Sequence, residues 1–513
     1  MTDRSLGVPP VPASVAVAAF LLFLVPGLVG YYGPFIDELY YVACASHLAW
    51  GYVDHPPLSP ALLALSRSLL GDGLVALRVP AALAGAMTVL LAGLLARRLG
   101  AGKSGQLLAS AAVALSPIIQ LIFGFYSMNA FELLMWTVMA WLLVELALGA
   151  HPRLWLAFGV VAGLALMNKH TVVLFVFGLG VGMLATSARR QLATGWPYAG
   201  AAVAGLIFAP NLIWQMAHGW PSLEFYRNAS FSKQVSVPML QVLVQQMFFN
   251  SPGTLPIWLA GLIFLIGGPL SSRLRHLGLA FLAVLAVMVV GHEGRPDRIS
   301  GFYPLLLAAG GVQIERFTDA AGRRRWWRPA LGVWMTAWGF ILLPITVPVL
   351  PPAQTARWAS ALGASPQLER GAGKRTELPQ WFADRLGWQL LVNDVAAARA
   401  QLTPDEQSRV VFFAPSYGQA GALDWLGAKQ GLRPVYSSHN TYYLWGPPRD
   451  PVDVAIVTGN DPDRLAELFE EVQLAGIYDC DFCMPWRDQM PIWIVRRARV
   501  RISDQWPEWK HFE

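Results

Sequence analysis

Residues 14–32 read SVAVAAFLLFLVPGLVGYY without a single charge, and runs of this kind recur down the chain. A stretch of about 20 apolar residues crosses a bilayer as a helix, a form that satisfies its own backbone hydrogen bonds in lipid. About eleven such stretches are expected, beginning near Ser14, Leu74, Gln106, Met128, Leu154, Thr171, Tyr198, Gly253, Leu277, Gly301 and Ala330. Only 14% of the residues are charged, against about 25% in soluble domains. The chain is therefore predicted to be an all-α polytopic membrane protein. The first run leads straight into charged sequence with no small-residue cleavage site, so it reads as a retained anchor.

The loops carry an orientation signal. Alternate loops hold Arg97, Arg98 and Lys103; His151 and Arg153; Arg189 and Arg190; Arg273 and Arg275; and Arg316, Arg323, Arg324, Arg325 and Arg328. The positive-inside rule puts these in the cytoplasm together with Arg4. The net charge of +6 then belongs to topology, not to nucleic-acid binding. With an odd number of spans, everything after about Leu350 lies outside. Residues 1–350 form the membrane domain, with interfacial helices expected at 33–73 and 238–250. Pro, Gly and Ser mark a linker at 351–374. Beyond it, the runs VVFFA (410–414), VDVAIVTG (452–459) and PIWIVRR (491–497) read as strands, and DPDRLAELFEEVQLAG (461–476) reads as a helix. That alternation predicts a small extracytoplasmic α/β domain over 375–513.

Three cysteines exclude a disulfide framework. Cys480 and Cys483 favour a structural role, a local disulfide if the domain is extracytoplasmic. Cys44 reads as a buried thiol. Gly159 and Gly163, and Gly178 and Gly182, have the small-xxx-small spacing of close helix packing.

The loops opposite the cytoplasmic ones mix both signs of charge with histidine, which suits a site. Asp37 and Glu38 follow the first span. Either could serve as general base toward a hydroxyl, or both could favour the N-terminus of the next helix. In Asp54-His55-Pro56-Pro57-Leu58 the prolines fix the backbone. His55 could hold a phosphate, orient a carboxylate, or simply occupy a turn. Glu132 lies inside an apolar span, where a carboxylate is either functional or bonded to a neighbouring helix. Glu145, nearer the cytoplasmic end, reads as snorkelling. Lys169, His170, Arg295 and Arg298 could gather an anionic headgroup through phosphate oxygens, or meet ordinary anionic lipid. There is no phosphate-binding glycine loop of the GxxxxGK[ST] type and no dinucleotide fingerprint. No cluster of metal ligands stands out.

Several stretches together resemble the bacterial glycosyltransferase 39 group. They are DELYY (37–41), HLAWGYVDHPPL (47–58), LRVPAALAGAMTVLLAGLLARRLG (77–100), SMNAFELLMW (127–136), MNKHT (167–171) and HGWPSLEF (218–225), with SYGQAGALDWLG (416–427) and SSHNTYYLWGP (437–447) in the tail. That group is related to the dolichyl-phosphate-mannose protein O-mannosyltransferases and the lipid A aminoarabinose transferase. The resemblance implies a GT-C fold in the bacterial inner membrane, with its site on the outer face. The implied reaction moves a sugar, with inversion, from a polyprenyl phosphate such as undecaprenyl phosphate to a hydroxyl acceptor on a lipid, glycan or protein.

The family's first-loop acid falls on Asp37, with Glu38 beside it, and His55 falls near the donor phosphate. A second acid that often opens the fourth span falls on Asn129, with Glu132 three residues on. A Lys-Pro-Tyr-Tyr-like element falls on GRPDRISGFYP (294–304), placing Arg295 for the Lys and Tyr303 near sugar or acceptor. Glu132 is thus a third catalytic carboxylate candidate, and Asn129 and Tyr303 are candidates for sugar or acceptor binding. Relatives include metal-independent and metal-bearing enzymes, so a divalent cation is left open. Membrane lipid is the expected partner, and nucleic acid is not. The competing class is a transporter or flippase, which predicts ionisable groups near mid-membrane. A third reading makes the C-terminal domain a binding module that presents the acceptor.

Overall fold

The computed structural model describes residues 9–232, 236–320, 325–364 and 376–513. Contacts divide the chain into two units, one of Met1–Leu28, Arg78–Leu212 and Val235–Val349, the other of Val29–Leu77, Ile213–Gln234 and Leu350–Glu513.

The first unit is helical. Each predicted span start lies in or beside a helix, from Pro10–Leu28 to Trp327–Leu342. Length separates them. Among the described residues, six helices are long and apolar enough to cross a membrane, or up to eight if two bent pairs, Lys103–Ala114 with Pro117–Phe123 and Val172–Leu184 with Ser187–Ala193, each count as one span. The expected count of eleven is not reached on that measure. Leu154–Leu166 and Leu255–Gly267 are shorter apolar helices, and Tyr303–Ala320 ends among Glu315, Arg316 and Asp319.

Small residues set the helix contacts. A Cβ on Gly159 would strike the Gly200 backbone, and one on Gly163 would lie 2.8 Å from Ile207 Cβ. The Leu154–Leu166 helix therefore lies against Trp196–Ala217. Gly178 and Gly182 do the same for Val172–Leu184, meeting the backbone of Ala280 and His276. Both predicted small-residue pairs are helix contacts. Glu145 does not simply snorkel: it forms a two-pronged pair with Arg98 at 2.6 and 2.9 Å.

The second unit holds the expected sheet. β1 (Val411–Phe413), β2 (Val435–Tyr436), β3 (Val454–Thr458), β4 (Phe469–Tyr478) and β5 (Met490–Ala498) run in the order β2-β1-β3-β5-β4. β2, β1 and β3 are parallel, and β5 and β4 add antiparallel. β3 is buried along its whole length, as a central strand covered on both faces must be. Val454 and Ile456 face one core, and Ala455 and Val457 face the other.

The predicted helix over 461–476 is half right. Pro462–Leu468 is helical, but 469–478 is the edge strand β4. Its outward residues are polar enough to imitate a helix face, and pairing with β5 decides the matter. Of the predicted linker, Pro352–Ala361 is a helix, and residues 365–375 lie outside the described residues, as do Arg4, Arg323 and Arg324.

The predicted interfacial stretches are helical at Ile36–Ser46, Leu58–Leu70 and Met239–Phe249. Leu39, Tyr40, Ala43 and Cys44 of the first enter the same core as Leu391, Ile456 and Ile494 of the C-terminal segment. Burying one such aliphatic side chain contributes about 1.5–3 kcal/mol. Cys44 is a buried free thiol, and Cys480 is bonded to Cys483.

Candidate functional site

The candidate residues fall into two groups, one in each unit. In the second unit, the Ile36–Ser46 helix presents Asp37 and Glu38 in its first turn. Glu38 is fully buried, and its Oε2 accepts the Phe35 backbone N–H at 2.7 Å. That geometry closes the helix N-terminus, the second of the two roles open to Glu38. Asp37 differs: its Oδ1 accepts a hydrogen bond from the Tyr417 hydroxyl at 3.0 Å.

His55 is buried at 1% exposure. Its ring lies against Tyr41 and Tyr52, each at 4.8 Å, and edge-on to Tyr40 at 5.7 Å. Its Nε2 makes no hydrogen bond and faces Asp54 Oδ1 at 3.9 Å. Burial holds the imidazole below its usual pKa, and the Asp54 charge only partly opposes that. The tyrosine rings enclose the imidazole on several sides. The Tyr40 hydroxyl lies 2.9 Å from Asp54 Oδ1 and 2.5 Å from Thr441 Oγ1.

In the first unit, Ser127 caps the Met128–Ala147 helix by accepting the Asn129 N–H at 3.3 Å. This places Asn129 and Glu132 one turn apart on one side. The Lys169 ammonium donates to Asn129 Oδ1 at 2.7 Å and to Glu132 Oε2 at 2.8 Å. Thr171 donates to the other Glu132 oxygen. Glu132 is therefore bonded to a neighbouring segment and held by two donors. His170 turns elsewhere, with Nε2 3.3 Å from Asn211 Oδ1.

The stretch 293–298 carries a second run of charge. Arg298 meets Glu293 at 2.6 Å, and Arg295 meets Asp297 at 3.3 Å. Burial alone would raise the Asp297 carboxyl, but Arg295, Lys169 and Arg298 outweigh it and hold it at about 2. Lys169, Arg295 and Arg298 thus share one electrostatic neighbourhood around Asp297. The Arg295 side chain is 58% exposed and that of Arg298 38%.

Tyr303 is buried. Its hydroxyl donates to Gln246 Oε1 at 2.9 Å, beside a largely apolar cavity of about 350 Å³ lined by Leu243, Met247, Leu255, Trp258 and Phe281. Among the described residues, no group of three or more His, Cys, Asp or Glu could hold a metal ion.

Sequence reasoning missed Tyr417, Asp297, Glu293 and Thr171 as parts of these groups. Tyr417 lies in SYGQAG, a stretch noted for resemblance but given no role.

Residues 54–214 match the family model described as dolichyl-phosphate-mannose-protein mannosyltransferase. No curated protein matches the chain by sequence. The fold is similar to the crystal structure of ArnT from Cupriavidus metallidurans bound to undecaprenyl phosphate, with TM-score 0.61 and 14% identity over 94% of this chain and 97% of that one. The apo state of the same protein gives TM-score 0.62 and 16% identity over the same shares. Residues 54–214 thus resemble that mannosyltransferase family, and the chain shares its fold with ArnT.

Proposed function

We propose that this chain moves a sugar from a polyprenyl phosphate to a hydroxyl acceptor on the outer face of the cytoplasmic membrane. One observation carries the reading: the family segment 54–214 sits in a fold shared, over 94% of the chain, with a protein solved with undecaprenyl phosphate bound. The reaction is direct displacement at the anomeric carbon, with inversion. Asp37 accepts the proton of the acceptor hydroxyl as its oxygen bonds to that carbon, and the sugar–phosphate bond breaks. Arg295, Arg298 and Lys169 stabilise the negative charge that grows on the departing phosphate. Glu132 and Asn129 fix the Lys169 ammonium, and Glu38 fixes the turn that carries Asp37.

The test is reconstitution in liposomes with radiolabelled undecaprenyl-phosphate sugars, supplied one at a time. Consumption of one of them by the wild type, and none by Asp37→Asn of normal thermal stability, is the expected result. Near-normal turnover by Asp37→Asn removes the base assignment. No consumption of any member of the panel removes the donor class.

A further inference from the structure

We propose that Tyr417, supplied by the C-terminal segment, is the positioning residue that aims and tunes the Asp37 carboxylate. The proposal rests on Asp37 being the base. The Tyr417 hydroxyl donates to Asp37 Oδ1 at 3.0 Å across a sequence separation of 380 residues. Its ring is held from two sides, 4.8 Å from the Tyr40 ring and 4.9 Å from the His439 ring. Its backbone N–H points to His439 Nδ1 at 3.4 Å. Tyr417 is the first residue of the Tyr417–Trp425 helix, whose N-terminus is fixed by Ser416 accepting the Gln419 N–H at 3.3 Å.

The close approach is built into the sequence. A Cβ on Gly418 would strike Ile36, and one on Gly421 would lie 2.8 Å from the Leu39 carbonyl. Two glycines in Tyr417–Trp425 therefore let that helix settle on Ile36–Ser46 closely enough for the hydroxyl to reach Asp37. Nothing in packing alone requires a phenol there. Phe would fill the same space between Tyr40 and His439.

A hydrogen bond donated to a carboxylate favours its ionised form and fixes which oxygen faces outward. The C-terminal segment therefore contributes to the chemistry at Asp37. It is not merely a platform that presents an acceptor.

The experiment uses full-length protein in liposomes with three variants: Tyr417→Phe, Gly421→Ala and Asp37→Asn. Infrared titration reads Asp37 directly, as the carboxyl band missing from Asp37→Asn. Turnover is read with undecaprenyl-phosphate-[14C]mannose and undecaprenyl-phosphate-[14C]aminoarabinose. In Tyr417→Phe the Asp37 midpoint should rise by about 1 pH unit. The acid limb of the kcat profile should move up with it, kcat should fall about tenfold, and the donor KM should be unchanged.

An unchanged Asp37 midpoint in a folded Tyr417→Phe overturns the proposal. So does a fall in kcat without a shift of the acid limb, since that is the mark of a structural role. Turnover by Asp37→Asn overturns the base reading and this proposal together. An inactive Asp37→Asn beside a Tyr417→Phe that matches wild type overturns this proposal alone. Should Tyr417→Phe lose its thermal transition, Gly421→Ala decides the matter. It keeps the hydroxyl but moves the helix, and it should raise the Asp37 midpoint in the same direction; a normal midpoint there counts against the idea.

Discussion

Lys169 and Glu132 illustrate how much a single pair constrains. Their side chains are 10% and 12% exposed and 2.8 Å apart. Removing one partner of such a pair costs about 3–5 kcal/mol, because the other is left as an uncompensated charge. Lys169→Met should therefore destabilise the folded protein by about 3 kcal/mol, and adding Glu132→Gln should recover most of that loss. A double-mutant cycle on unfolding in detergent checks it, and additive effects would refute the coupling. Asp297 makes a second prediction. Its carboxyl is held at about 2, against about 3.9 in an unfolded chain. A depressed carboxylate stabilises the fold above the unfolded value, and that contribution is lost as pH falls through the folded one. The contribution is on the order of 2 kcal/mol at neutral pH. Asp297→Asn should flatten the acid dependence of stability between about pH 4 and 2, as read from melting curves. The sequence alone marked Glu132 as an intramembrane acid and Lys169 as an outer cation. That they neutralise each other was not legible, because Glu132 lies in the Met128–Ala147 helix and Lys169 in the turn between two later helices, and only the packing brings them together. His55 and Glu38 were legible as residues, but their burial was not.

Between elements, the Leu255–Gly267 and Tyr303–Ala320 helices meet through reciprocal notches. A Cβ on Gly261 would strike the Leu306 carbonyl, and one on Gly310 would strike the Ile257 carbonyl. Both clashes are with backbone, which cannot step aside as a side chain can. Gly310→Val should force the helices apart and cost about 1–3 kcal/mol, the usual range for overpacking. Gly332→Ala in Trp327–Leu342 is the control. Nothing lies within 4 Å of its Cβ position, and it should be neutral or stabilising by up to about 1 kcal/mol. Unfolding in detergent compares the two, and equal effects would contradict the notch. The apolar runs located helices well because a span needs length and little else. They marked more spans than helix length alone supports, since 13-residue helices such as Leu154–Leu166 lie in equally apolar sequence. The strand β4 was missed for the opposite reason. An edge strand with one partner shows outward charges such as Glu470 and Glu471, and its true period is visible only beside β5.

For the molecule as a whole, topology is the statement most open to a direct test. Loop charges put Lys103 in the cytoplasm and, through an odd number of spans, everything after about Leu350 outside. The native thiols scarcely interfere, because Cys44 is buried and Cys480 and Cys483 are bonded to each other. Both Lys103 and Lys429 are exposed. In intact cells with a permeable outer envelope, Lys429→Cys should react with a membrane-impermeant maleimide, and Lys103→Cys should react only after the cytoplasmic membrane is opened. Parity of the spans decides the side of the C-terminal segment. Six crossings, or eight with both bent pairs, are even numbers, and an even count would return the C-terminal segment to the side of the N-terminus. An outside Lys429→Cys therefore requires either that only one of the two bent pairs crosses, or that an odd number of the short or charged helices, among them Leu154–Leu166, Leu255–Gly267 and Tyr303–Ala320, also cross. Protection of Lys429→Cys in intact cells would instead put Tyr417, and with it the Asp37 carboxylate it holds, on the cytoplasmic side, where the proposed outer-face reaction cannot occur.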